Sequence, residues 1–219
     1  MKKLFLYGAG SVGREVSDIA ERLNSIEPQW EEIGFIDDTR DTGLFRDRRL
    51  FQYCDFVKQF SIDDVEIVIA NGEPAARKTL SEKVRADGYR LASVIDKTAF
   101  ISPSAQLGEG VIIYPLALVS ADATIKDNVL VSYHTTVAHD CVIGESSVLS
   151  IGVIIAGGCT IADHCFIGAG ATVRELIEVG EWSILAMSSV MCKSGTENGI
   201  YMGNPARRVR ENLTKRVFK

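Results

Sequence analysis

The sequence predicts two units in series: an α/β N-terminal Rossmann-like small domain over residues 1–97, then an all-β parallel β-helix with a C-terminal tail over residues 98–219. Two observations carry this expectation. Up to about residue 97, apolar strands alternate with amphipathic helical stretches, the pattern of a small, open, mostly parallel sheet. From Ile101 onward an aliphatic residue recurs every six positions, a period that neither a helix nor a flat strand produces.

In the first unit, Leu4–Tyr7 is an apolar strand that runs into Gly8-Ala-Gly10-Ser-Val-Gly13. A helix from about Val12 to Leu23 sets Val16, Ile19, Ala20 and Leu23 on one face. Ile33–Ile36 is a second strand, ending in Asp37 and Asp38, and Val65–Ala70 a third, ending in Asn71 and Gly72. Pro74 opens a helix that continues to about Ala86, since proline is tolerated in a first turn. Leu91–Ile95 supplies a fourth strand. Arg46, Arg48 and Arg49, interrupted by Asp47, read as a solvated loop.

In the second unit, stepping by six from Ile101 to Leu185 meets fifteen positions, all aliphatic. If about a third of residues were aliphatic, chance would give such a run on the order of once in a million. The residue four places later in each window is nearly always small, from Ala105 through Cys141 and Ser147 to Ser189. A triangular coil explains both columns: the aliphatic residue fills the interior and the small one fits near a corner. Three windows, one for each side, close a turn of the coil, and stacked turns share a core and satisfy each other's backbone.

Composition narrows the function. The net charge of −5 argues against nucleic acid as a partner. No apolar run approaches the ~20 residues of a membrane span. The opening Met-Lys-Lys-Leu-Phe-Leu-Tyr is too short for a signal peptide and enters the glycine loop, so a cytoplasmic protein is expected. Five cysteines without a CxxC or a His-rich spacing suggest neither a disulfide framework nor a metal site. Cys141, Cys159 and Cys165 fall in the small inward slot, as buried hydrophobes rather than nucleophiles.

Several motifs carry a resemblance. The windows Ile143-Gly-Glu-Ser-Ser-Val and Ile167-Gly-Ala-Gly-Ala-Thr, and Gly203-Asn-Pro205-Ala-Arg207 after them, resemble the hexapeptide-repeat left-handed β-helix acyltransferases. Together with the glycine-loop domain, Ile101-Ser-Pro103-Ser-Ala105 and Val137-Ala-His139-Asp140-Cys141-Val-Ile-Gly144 are similar to one group. That group is the sugar O/N-acetyltransferase family of sialic acid O-acetyltransferases and UDP-4-amino-sugar N-acetyltransferases. The resemblance covers essentially the whole chain. It implies a left-handed coil, an acetyl-CoA-dependent acetyltransferase of bacterial glycan biosynthesis, and a homotrimer. In that assembly acetyl-CoA lies between adjacent coils and a nucleotide-linked amino sugar reaches in from the N-terminal domain.

Acyl transfer from a thioester needs a base for the nucleophile and a donor for the developing oxyanion. His139 lies mid-window, pointing outward, and an imidazole can accept a proton near neutral pH. Asp140, next in sequence, can fix its tautomer. The resemblance makes this pair catalytic. Gly157 lies three windows on, one coil above on the same face, where its amide can meet the thioester oxygen. By family alignment Val148, Ala169 and Met187 fall at cofactor-contacting positions. Val148 stands where the amino-sugar enzymes carry a second histidine, and Val12 where many have one in the glycine loop. His134 is expected on another part of the coil and His164 at the surface.

The glycine loop alone is a dinucleotide fingerprint, but fewer than 100 residues cannot supply both halves of an NAD site. A nucleotide-sugar site is preferred, with Gly10, Ser11 and Val12 at a helix N-terminus for phosphate, Asp37 and Asp38 for the uridine end, and Ala70 and Asn71 lining the pocket. The competing expectations are O-acetylation of sialic acid or a related sugar, and a catalytically silent β-helix acting as an assembly subunit.

Overall fold

The computed structural model describes residues 1–218. Strand β1 (Lys2–Tyr7), with Leu4–Tyr7 buried, occupies the interior of a six-stranded sheet. Its neighbours are β2 (Trp30–Ile36) on one side and β5 (Val65–Ile69) on the other, both parallel to it. With β3 (Gly43–Phe45), β4 (Arg48–Phe51) and β6 (Arg90–Leu91) the order is β3-β4-β2-β1-β5-β6, and β3 is the antiparallel member. Helix α1 (Ser11–Ile26) lays the expected stripe of Val16, Ile19, Ala20 and Leu23 on one face of the sheet. Helices α2 (Tyr53–Gln59) and α3 (Pro74–Ala86) cover the other, with Phe56 of α2 and Val84 of α3 packed in one cluster with Phe5, Phe51 and Ile67 of the sheet.

Two expectations need correction here. The arginine cluster is a hairpin, not a loop. Arg46 and Asp47 form its two-residue turn at φ of 52° and 59°, the left-handed pair that matches strand twist. Its cations are paired: Arg46 with Asp18 at 2.9 Å, Arg48 with Glu21 at 2.6 Å, and Arg49 with Glu32. Leu91–Ile95 is likewise not one strand. Leu91 ends β6, whereas β7 (Val94–Ile95) pairs with Ile112–Ile113 and is the first rung of the coil.

From β7 a two-residue strand recurs every six residues, and each pairs in parallel with the strand one turn later, as in Ile113↔Val131 and Val131↔Leu149. Three ladders form a triangular prism of five complete turns, followed by Ile184–Leu185 and Val190–Met191. Gly199–Met202 and the antiparallel Arg207–Glu211 close its end. Ile101 and Leu107 are partly buried, and the predicted inward residues from Ile113 to Leu185 are at most 1% exposed. The series runs one step further each way, to Ile95 and Met191. Where the small slot holds a polar side chain or a thiol, it supplies a donor as well as fitting by size. Thr135, Cys141, Ser147, Cys159 and Cys165 each donate to a main-chain carbonyl 15 residues on, at 2.7–3.2 Å, so a buried corner oxygen is not left unpaired.

The outward residues distinguish the three faces. Val94, Ile112, Leu130 and Val148 on the first face are buried beneath α1. The second, with Phe100, Leu118 and Ile154, is apolar yet open: Phe100 is 59% and Ile154 48% exposed. The third carries Gln106, Thr124, Thr160 and Glu178.

One side chain locks the two units together. Arg77 of α3 is fully buried and has no carboxylate partner among the described residues. It donates to Ile69 O at 2.6 Å, Asn71 O at 3.0 Å, and Asn128 O and Oδ1 at 2.7 and 2.8 Å. Asn128, a left-handed corner of the coil at φ 55°, returns a bond from Nδ2 to Arg77 O. Burial pulls the guanidinium down to about 9, so it remains charged at neutral pH. Arg22 of α1 makes a second link, pairing with buried Asp96.

Candidate active site

The turn between the second and third faces presents His139 and Asp140. Asp140 takes the left-handed corner at φ 58°, and both side chains face solvent, 66% and 64% exposed. Imidazole Nδ1 lies 2.7 Å from Asp140 Oδ2. A carboxylate there accepts the Nδ1 proton, which leaves Nε2 with its lone pair free. Gly157 sits directly above. A methyl group added to it would fall 2.6 Å from Cε1 and 2.7 Å from Nε2 of His139, so no other residue type fits over the ring without moving it. The corner is tied coil to coil by Gly158 N–H to His139 O at 2.9 Å. Gly157 N–H itself has no acceptor among the described residues. A base and an unclaimed donor therefore share one corner.

The other expected cofactor residues lie elsewhere. Ala169 and Met187 stack one turn apart on the corner between the first and second faces, with Met187 73% exposed. A full side of the coil, six residues or up to ~20 Å of extended chain, separates that corner from His139. Val148 is closed off within the single chain. It is 3% exposed, packed with Ile112 and Leu130 under α1, because it is the outward residue of the one face that the N-terminal domain covers. His134 is exposed on the first-to-second corner. His164 is buried, not a surface residue. It stacks on Trp182 at 4.4 Å, and burial pulls its imidazole downward, towards the neutral form.

All seven expected substrate residues converge. Gly10, Ser11, Val12, Asp37, Asp38, Ala70 and Asn71 line one cleft of about 590 Å³ at the carboxyl ends of β1, β2 and β5, where an open α/β sheet binds ligands. Gly13 lets the loop close: a methyl there would lie 1.9 Å from Gly8 O, whereas at Gly10 it would meet nothing. The open side of the loop is thus left for a ligand at the N-terminus of α1, which has no side-chain cap and no acid in its first turn.

Both acids of the cleft are partly engaged. Asp37 accepts from Ala9 N–H at 2.8 Å and from Thr39 N–H and Oγ1. Asp38 accepts from Tyr7 Oη at 2.6 Å, Tyr53 N–H at 2.8 Å and Lys83 Nζ at 3.2 Å. Burial pushes both carboxyls up, but these bonds outweigh it and hold them below the usual carboxylate range. Tyr7, Thr39, Glu73, Leu80 and Phe218 also line the cleft. Sequence reasoning missed them. Tyr7 and Thr39 adjoin residues already singled out, but Phe218 gives no local signal.

The fold and both motifs define a class. The PglD N-terminal domain family matches residues 3–84, and the bacterial transferase hexapeptide (six repeats) family matches residues 140–175. The acetyltransferase domain of PglB from Neisseria gonorrhoeae FA1090 is 28% identical, with a TM-score of 0.89 over 95% of this chain and 100% of that one. The same domain in complex with acetyl coenzyme A is 29% identical, with a TM-score of 0.87 over 95% and 99%. GDP-perosamine N-acetyl transferase from Caulobacter crescentus, a histidine-to-alanine mutant in complex with CoA and GDP-perosamine, shares the fold. It has 22% identity and a TM-score of 0.86 over 96% of this chain and 98% of that one. The chain is a hexapeptide-repeat acyltransferase. Within that class it resembles the acetyltransferase domain of PglB, and its residues 3–84 match the PglD N-terminal domain family. No helix among the described residues is long and apolar enough to cross a membrane.

Proposed function

We propose that the chain transfers the acetyl group of acetyl-CoA to the amino group of a nucleotide-linked amino sugar in bacterial glycan biosynthesis, working as a homotrimer. The observation that carries this is the His139 corner: Nδ1 is held by Asp140, and Nε2 packs against Gly157, whose N–H has no acceptor among the described residues. Nε2 accepts a proton from the sugar amine as its nitrogen attacks the thioester carbonyl. Gly157 N–H donates to the carbonyl oxygen as it gains negative charge. The protonated imidazole then returns its proton to the departing thiolate, and Asp140 stabilises the transient cation.

Two features support the trimer. The second face carries Phe100 and Ile154 open to solvent, and Ala169 and Met187 lie on a different corner from His139, so a neighbouring subunit packed on that face would bring the two corners together. In this reading the cleft near α1 holds the nucleotide, with phosphate at Gly10, Ser11 and Val12 and the nucleoside towards Asp37 and Asp38.

The test is thiol release from acetyl-CoA with UDP-, dTDP- and GDP-linked amino sugars and with free sialic acid. An N-acetylated nucleotide sugar is expected, and His139→Ala lowers kcat by about 100- to 10,000-fold. Wild-type turnover in His139→Ala, or acetylation of sialic acid hydroxyls alone, overturns the assignment. Ile154→Glu on the open face should give monomers by sedimentation with an intact coil by circular dichroism; persistence of trimers removes that face from the interface.

A further inference from the structure

The nucleotide cleft has one wall from the far end of the chain. Phe218 lines it beside Glu73 and Leu80 of the N-terminal domain. The segment is held by specific contacts. The Glu73 carboxylate accepts Val217 N–H at 3.0 and 3.1 Å and Phe218 N–H at 3.0 Å. The Phe218 ring stands edge-on to Phe166 of the first coil face, centroids 5.5 Å apart. Just before it, Lys215 lies over the Trp182 ring at 4.8 Å. A ring, an acid and a cation thus fix this tail against α3 and the coil together.

The cleft's chemistry gives the arrangement a purpose. Its lining holds three carboxylates, Asp37, Asp38 and Glu73, and no lysine or arginine among the described residues. A nucleoside diphosphate is an anion, so a free acid at its mouth opposes binding. The tail amides occupy both oxygens of Glu73, and the ring they position offers the ligand an apolar wall. We propose that Val217 and Phe218 complete the acceptor cleft, with Phe218 contacting the bound nucleotide sugar and Glu73 a positioning residue that holds the tail in place. This deepens the nucleotide-sugar assignment and rests on it.

Glu73 gives a test by sign. If Glu73 only lines the cleft, removing its charge strengthens the binding of an anion. If it holds the tail, removal weakens binding. UDP, dTDP and GDP are titrated calorimetrically into the intact wild type, and the tightest binder is carried forward. Phe218→Ala is expected to weaken that nucleotide about tenfold, the scale of one lost aromatic contact, with the KM for acetyl-CoA and the melting temperature unchanged. Phe218→Tyr restores binding. Glu73→Ala weakens it too, but adds no loss when combined with Phe218→Ala. Unchanged affinity in Phe218→Ala, or tighter binding in Glu73→Ala alone, overturns the proposal. A wild type that binds none of the three nucleotides instead defeats the nucleotide-sugar assignment itself.

Discussion

The N-terminal domain and the coil reach the same degree of burial by opposite routes. In the coil each repeating strand is a dipeptide, and its partners lie one turn before and one turn after it. Each turn repeats the environment of the last, so one aliphatic residue and one smaller corner residue per side suffice. In the N-terminal domain β1, which starts at Lys2, is flanked by strands that start only at Trp30 and Val65. Its core is a cluster of unlike aromatic rings, such as Phe5 on Phe56 at 4.9 Å. The chemistry divides in the same way. The coil offers an exposed His–Asp pair on a regular corner, whereas the cleft is made of groups bonded to one another across three strands. Repetition makes a ruler for positioning one base; irregular packing makes a shaped pocket.

Four measurements sharpen that contrast, ordered by expected size. Gly157→Ala acts on the ruler alone. Its φ needs no glycine, yet the new methyl displaces the His139 ring. Turnover should fall about 100-fold, as for a ~1 Å misplacement, while thermal unfolding is unchanged. A loss of stability would show that the corner is structural. Leu149→Ala, in the coil interior, should cost about 2–5 kcal/mol in denaturant unfolding, since the rigid prism cannot collapse around the cavity.

Arg77→Met probes the joint between the two regions. It removes donors from four acceptors, Ile69 O, Asn71 O, Asn128 O and Asn128 Oδ1. The cost should be about 1–3 kcal/mol, with nucleotide affinity falling because Asn71 borders the cleft. Arg77→Lys should recover only part of the loss, since a single ammonium cannot span acceptors that the guanidinium fork reaches on two sides. The smallest effect is on pH. The folded-state values of Asp37 and Asp38 lie below their unfolded ones, so their contribution is complete above about pH 4 and is lost as acidification passes the folded values. Unfolding followed by tryptophan fluorescence from about pH 6 to 3 should lose stability in that range, less steeply in Asp38→Asn.

Legibility in the sequence follows the same divide. The coil could be read because its period fixes which way each side chain points: Leu149 in, His139 out. The cleft could be read because a glycine loop, two acids after β2 and a strand end at Ala70 mark the carboxyl edge of a parallel sheet. What failed had a non-local cause each time. Val148 obeys the outward rule but is roofed by α1, and His164 is a corner residue that Trp182 covers. The arginine cluster is neutralised by acids on α1 and β2, which no local window reveals.

The sequence by itself determined the three-sided coil, its inward and outward residues, and the His139–Asp140 corner, because all of these are set by chain direction over a few residues. Only the tertiary structure decided which coil face is buried, that a buried Arg77 joins the two units, and that Phe218 closes the cleft. These depend on contacts between segments far apart along the chain, and a repeat cannot encode what another part of the chain will place against it.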